Sequence, residues 1–334
     1  MESLLGVLLG TAVGDALGLP AEGMSAPAVK RRFGRLDRYR LLGAIGFVSD
    51  DTEQSALVAQ ALCAHHADPA ACAAAFRRSL VGWFWRLPWG VGLATLRACL
   101  KGTCGLSSTG VRSAGNGAAM RAAVAGVFHR EDAALRRSFS EAVARVTHTD
   151  PRAVQAAVFV AEAAALAAVG GSGADRSALI GAAARTVDEP ELAGAIARAL
   201  TLAGAGASTE TAAEALGTTG YSVHTAAFAA FQFVRHGGNA RECLVLTASA
   251  GGDSDSIGAI VGGWLGALHG SKGLPNELVD GLAGGPFGRG HLEGLAAALA
   301  EGGPAPRYFW PLAMARNLLL IGVILAHGLR RLFP

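Results

Sequence analysis

The chain has 334 residues, 51% of them apolar and only 16% charged, with a formal net charge of +3. That apolar content is more than enough for a large core, and the length suits one or two domains. The small net charge, with no long Lys/Arg stripe, gives nucleic-acid binding little electrostatic support. Five cysteines form no C-x-x-C pair, which predicts reduced thiols in a cytoplasmic protein.

Read from the N-terminus, MESLLGVLLGTAVGDALGLP (1–20) looks superficially like a signal peptide. It lacks a basic start, carries Glu2, and its apolar run meets Asp15, so cleavage is not expected. GDALGLPAEG (14–23) then brings two acids, Asp15 and Glu22, into an apolar text. The basic stretch KRRFGRLDRYR (30–40) reads as a solvated loop or helix face.

SDDTEQS (49–55) heads an apolar-periodic run over 52–64. One reading is helix capping by Ser49, Asp50, Asp51 or Thr52, with Glu53 suiting the first-turn dipole. The other is cation binding. A cap needs one such residue, and two adjacent carboxylates between hydroxyls repel each other unless a cation relieves them. Trp83, Trp85 and Trp89 follow. They are core anchors, or they help the loops at 30–48 and 82–113 shape a pocket mouth. GNGAAMR (115–121) is a glycine-rich loop predicted to open a helix. Its bare N–H groups and Asn116 suit a phosphate, or simply a tight turn. In THTDPRA (147–153), Thr149 or Asp150 caps a helix over 152–169 with Pro151 in its first turn. His148 there is an interior histidine or a ligand contact.

GGDSDS (251–256) repeats the acidic grammar ahead of a predicted helix over 255–269. Asp253 and Asp255 stand at i and i+2, and Gly251 and Gly252 permit the tight turn that lets them converge. Carboxylates and the hydroxyls of Ser254 and Ser256 are hard oxygen donors. They suit magnesium or manganese rather than zinc. Two such clusters facing each other would hold two cations about 3.5–4 Å apart, and this one is also expected to cap its helix. Last, LLLIGVILAHGL (318–329) is short of the roughly 20 residues that span a bilayer. It is expected to be a terminal helix docked on the core, rather than an interfacial membrane helix or an oligomer contact. Strand alternation is hard to find, so the chain is predicted to be all-α: one domain over 1–303 and an apolar helical tail over 304–334.

Taken in order, these motifs resemble the ADP-ribosylglycohydrolase family. GTAVGDALGLPAEG (10–23) is similar to its opening helix and loop, and SDDTEQS to its T-D-D-T motif. GNGAAMR is similar to its G-N-G-x-x-M-R loop, THTDPRA to its T-H-x-D-P segment, and GYSVHTAAFAAF (220–231) to the helix before its last site. GGDSDSIGAIVGGWLGALHG (251–270) is similar to its G-G-D-T-D-T-I-x-A-I-x-G run. The resemblance implies a compact single-domain orthogonal bundle of helices and two Mg2+ (or Mn2+) ions. It implies Ser49, Asp50 and Asp51 as metal ligands from the first cluster, and Asp253, Asp255 and Ser256 from the second. Asn116, Gly117 and Met120 would line an ADP-ribose groove with His148 nearby. The implied reaction is hydrolysis of the glycosidic bond between ADP-ribose and a protein side chain or a small conjugate. Glu22, or a metal-bound aspartate such as Asp51 or Asp255, would be the general base. A non-catalytic ADP-ribose-binding relative, or a hydrolase of another ADP-ribose conjugate, is the alternative. Ser49, Ser254 and Ser256 stand where threonine is usual and Glu53 where glutamine is frequent. The tail has no counterpart.

Overall fold

The computed structural model describes residues 1–331. The described residues form seventeen α-helices, three single turns of 3-10 helix and one two-stranded ladder. The all-α expectation holds, and the predicted helices extend by only a residue or two, to Asp50–Ala64, Pro151–Gly170 and Ser254–His269. Their starts follow capping chemistry. Ser49 accepts a hydrogen bond from the Asp51 N–H. Asp150 accepts from the Arg152 N–H, with Pro151 at the first helical position. GNGAAMR departs from expectation: Asn116–Ala118 is a 3-10 turn, and the next α-helix begins only at Ala123.

Two helices far apart in sequence set the architecture. Gly6, Gly10, Gly14 and Gly18 recur every fourth residue along Glu2–Gly18, so they share one face. Gly258, Gly262 and Gly266 do the same along Ser254–His269. The glycines meet in antiparallel order, Gly6 on Gly266, Gly10 on Gly262 and Gly14 on Gly258. A Cβ at any of them would overlap the opposing carbonyl. Only the missing side chains let the backbones touch. Outside this seam the helices bury almost everything they carry: Trp264 is fully buried and donates its indole N–H to the Val160 carbonyl at 2.9 Å.

The antiparallel seam brings the end of the first helix to the start of the other. A short ladder fixes the join, with Met24 opposite Gly252 and Ser25 opposite Gly251. Gly251 and Gly252 have φ of +72° and +77°, a region that only glycine enters freely. Among the described residues, three helices are long and apolar enough by length and composition to cross a membrane: Glu2–Ala21, Pro151–Gly170 and Trp310–Leu329. The first is buried inside the protein over 94% of its apolar window, the last over 22%.

Candidate metal centre and active site

The N-terminus of the Asp50–Ala64 helix is held by a residue for which no local sequence pattern suggests that role. Asp15, fully buried, accepts hydrogen bonds from the Ser49 N–H at 2.9 Å, the Thr52 N–H at 3.1 Å and the Thr52 hydroxyl at 2.5 Å. It caps this helix from the end of the first one and fixes Asp50 and Asp51 at its mouth. Burial raises the Asp15 carboxyl to about 6, against the pull of those hydrogen bonds. Ser49 is drawn into the same network: its hydroxyl donates to Asp51 Oδ2 at 3.0 Å. Ser49 does not line the pocket that the other predicted ligands share.

The second cluster also departs from its expected capping role. Asp253 occupies the cap position of Ser254–His269 yet makes no side-chain cap bond. Its Oδ2 instead accepts from the Asn116 amide. Ser254 turns away and donates to the Gly18 carbonyl at 2.9 Å. Asp253 and Asp255 therefore face a cavity of about 370 Å³ together with Asp50, Asp51, Ser256 and Glu22. Oxygens of Glu22, Asp253 and Asp255 lie within 4.8 Å of one another.

The glycine-rich loop and the His148 segment form another part of the wall. Asn116 donates to both Thr225 Oγ1, at 3.1 Å, and Asp253, so it positions an acid as well as lining the cavity. Gly117, Met120 and His148 line the same cavity. The His148 ring lies against Gly117, 3.0 Å from where a Cβ would stand. Burial, then the charge of Arg121, lowers His148 to about 3, so its imidazole is neutral. Its Nδ1 is 2.8 Å from the Thr147 hydroxyl. Arg121 itself is fully buried and ties the site together. It donates to Gln54 Oε1 at 2.7 Å, the Gly117 carbonyl at 2.6 Å and Thr147 Oγ1 at 2.6 Å. Gln54 in turn donates to Asp50 Oδ2 at 2.9 Å.

The loop at 82–113 does shape the pocket, through Gly90, Gly92, Leu93 and Ser113, whereas 30–48 contributes no lining residue. Gly90 must be bare, since a Cβ there would lie 2.5 Å from Asp50 Oδ1. Trp83 is a core residue and Trp85 is more than half exposed. Neither lines the cavity.

The electrostatics fit hard divalent cations. Burial first, then neighbouring acids, push Asp50, Asp51 and Asp255 well above the carboxylate range, and burial raises Asp253 too. Asp51 Oδ1 is buried with no hydrogen-bond partner, a costly state for a carboxylate oxygen. Among the described residues, no Lys or Arg lines the cavity. Hard oxygens from several converging carboxylates are the donor set that magnesium and manganese take.

The sequence profile of the ADP-ribosylglycohydrolase family matches residues 1–307. The chain belongs to the ADP-ribosylglycohydrolase family. It is 32% identical to an uncharacterised protein of Archaeoglobus fulgidus, over 90% of this chain and 96% of that one. It is 28% identical to the ADP-ribosylarginine hydrolase Tri1 of Pseudomonas putida, over 91% of this chain and 79% of the relative. A solved structure described as an ADP-ribosylglycohydrolase-related protein complex superposes with a TM-score of 0.69. It is 28% identical, over 90% of this chain and 98% of the solved one. Within this family frame, the departure at Glu53 has a local reason. Glu53 accepts from the Trp83 indole at 2.5 Å and pairs with Arg316 of the C-terminal helix, beyond the matched span.

Proposed function

We propose that the chain hydrolyses the glycosidic bond between ADP-ribose and an arginine side chain, with two magnesium or manganese ions held in the acidic cavity. The observation that carries this reading is the convergence of both acidic clusters and Glu22 on one cavity, walled by Asn116, Gly117, Met120 and His148. Arginine as acceptor is supported by the name of the Pseudomonas relative, and by a cavity wall that offers acids and no competing cation. The five free cysteines fit a cytoplasmic setting.

Asp50, Asp51, Asp253 and Asp255 would hold the cations, with Ser256 and Glu22 beside them. Bound there, the metals supply positive charge to orient the ribose hydroxyls and lower the pKa of a water. The chain's own groups do the rest. Asp15, Gln54 and Asn116 hold the carboxylates in place, so little reorganisation accompanies the reaction. The Gly115–Gly117 turn offers backbone where a pyrophosphate would lie. Neutral His148 offers a hydrogen bond without adding charge. Glu22, Asp51 and Asp255 are the candidate general bases. In the balanced reaction, water's hydroxyl goes to the anomeric carbon, and its proton reaches the departing guanidine through the base.

The test is release of free ADP-ribose from ADP-ribosylated arginine and serine peptides, with magnesium, with manganese, and with EDTA. Release from the arginine peptide that EDTA abolishes is expected. Calorimetric binding of ADP-ribose without release from either peptide would sink the hydrolase reading in favour of a binding protein.

A further inference from the structure

The C-terminal helix, Trp310–Arg331, is polar toward the protein and apolar toward the outside. Arg316 reaches Glu53 and donates to the Val48 carbonyl at 2.7 Å. Asn317 donates to the Arg86 carbonyl at 2.9 Å. His327 meets the Pro20 carbonyl at 3.1 Å and stacks on Phe33. Ala313 and Leu320 are buried beside them. The outward side presents Leu312, Leu318, Leu319, Leu325 and Leu329, each 51–60% exposed, with exposed Ala315, Gly322 and Ala326 between them. From 312 to 329 no exposed side chain is polar. Phe309 and Trp310, 71% and 56% exposed, stand at its start.

This face is about 27 Å long at 1.5 Å per residue. Its leucines and aromatics offer on the order of 800 Å², above the roughly 300–600 Å² of the largest apolar patch on a typical monomer. A second, independent feature lies beside it. The Phe33–His327 contact sets the helix Ala26–Phe33 against this one. The last turn of that helix carries Lys30, Arg31 and Arg32, all exposed, and exposed Arg38 follows. Lys30, Arg31 and Arg38 close no ion pair among the described residues.

We propose that this face is a docking surface for a lipid bilayer with anionic headgroups. An apolar helix face alone binds membranes weakly, and a basic cluster next to it is the second signal that holds a peripheral protein on an anionic surface. The helix lies along the interface and does not cross it, because crossing would break the inward bonds of Arg316, Asn317 and His327. A tryptophan at its start suits the headgroup level. A second copy of the chain is the less favoured occupant: a two-fold contact would bring the same basic turn near its own copy, where lipid phosphates complement it.

The test is co-sedimentation of the full chain with vesicles of phosphatidylcholine alone, or mixed with phosphatidylglycerol, at low and high salt. Binding to the mixed vesicles at least tenfold tighter than to phosphatidylcholine alone, and weakened by salt, is expected. Leu319→Asp with Leu325→Asp, and separately Lys30→Glu with Arg31→Glu, should each weaken it about tenfold with an unchanged circular dichroism spectrum. Should a variant misfold, the unsubstituted chain still reports. Brominated acyl chains should quench its tryptophan fluorescence, and Trp310→Phe should remove most of that quenching. No binding to mixed vesicles overturns the proposal, whether light scattering then finds a monomer or a dimer. Binding that the leucine substitutions leave unchanged overturns it too.

Discussion

Arg316 and Glu53 form a buried ion pair between residues 263 positions apart in sequence. Glu53 lies in the first turn of the helix that carries Asp50 and Asp51, and Arg316 lies in the C-terminal helix. The pair couples the tail to the helix that carries the first acidic cluster. Arg316→Met leaves Glu53 charged and buried with only the Trp83 indole beside it. The cost expected is about 3–5 kcal/mol, read by denaturant unfolding. Adding Glu53→Gln to Arg316→Met should recover most of the loss. A single variant as stable as the parent would remove the coupling.

The glycine seam gives a paired prediction. Gly14→Ala pushes a methyl into the Gly258 carbonyl and should cost about 1–3 kcal/mol or more, with a lower melting temperature and weakened metal binding, since Asp15 rides on the same helix. Gly194→Ala, in the interior of Pro190–Gly204 with nothing near its Cβ, should stabilise by about 0.5–1 kcal/mol. Equal effects from the two would mean that the helices do not touch through their backbones.

Asn116 acts through Asp253. Asn116→Ala frees that carboxylate and should cut manganese affinity about 10–100-fold, measured by titration calorimetry. Asp255→Asn should go further: activity is lost, and magnesium no longer raises the melting temperature. An Asp255→Asn variant with parental activity would rule out the metal site as drawn.

The acidic cavity predicts how metal stabilisation depends on pH. Its carboxylates have raised folded-state values, so the folded, metal-free chain holds more protons than the unfolded one. Their contribution to stability is present below the unfolded pKa and is lost as pH rises through the folded value. For Asp15, the buried cap behind them rather than a cavity residue, that window runs from about pH 4 to about 6. Cations must displace these protons, so the rise in melting temperature on adding magnesium should be small near pH 5 and large near pH 8. Protons should be released on binding, detectable in buffers of different ionisation heat. A metal effect that shrinks as pH rises would contradict the assignment.

The helices and the candidate site residues were legible locally in the sequence. Apolar periodicity and capping residues marked Asp50–Ala64, Pro151–Gly170 and Ser254–His269, because those signals are local. The acidic clusters stood out because charge is scarce in this chain, and their order carried the family resemblance. Tertiary structure decided what each residue faces. Asp15 gained its role through bonds to Ser49 and Thr52, 34 and 37 positions away, and Arg121 through bonds to Gln54 and Thr147, 67 and 26 positions away, which no local pattern encodes. Asp253 gave up a cap to meet Asn116, 137 positions away. The glycines every fourth residue were visible in the text. That two such stripes press together followed only from packing, since backbones approach this closely where both partners lack side chains. Packing also decided which face of the tail helix turns inward. Composition predicts an apolar helix docked on the core; it is Arg316, Asn317 and His327 that find partners inside, so most of its leucines are left outside.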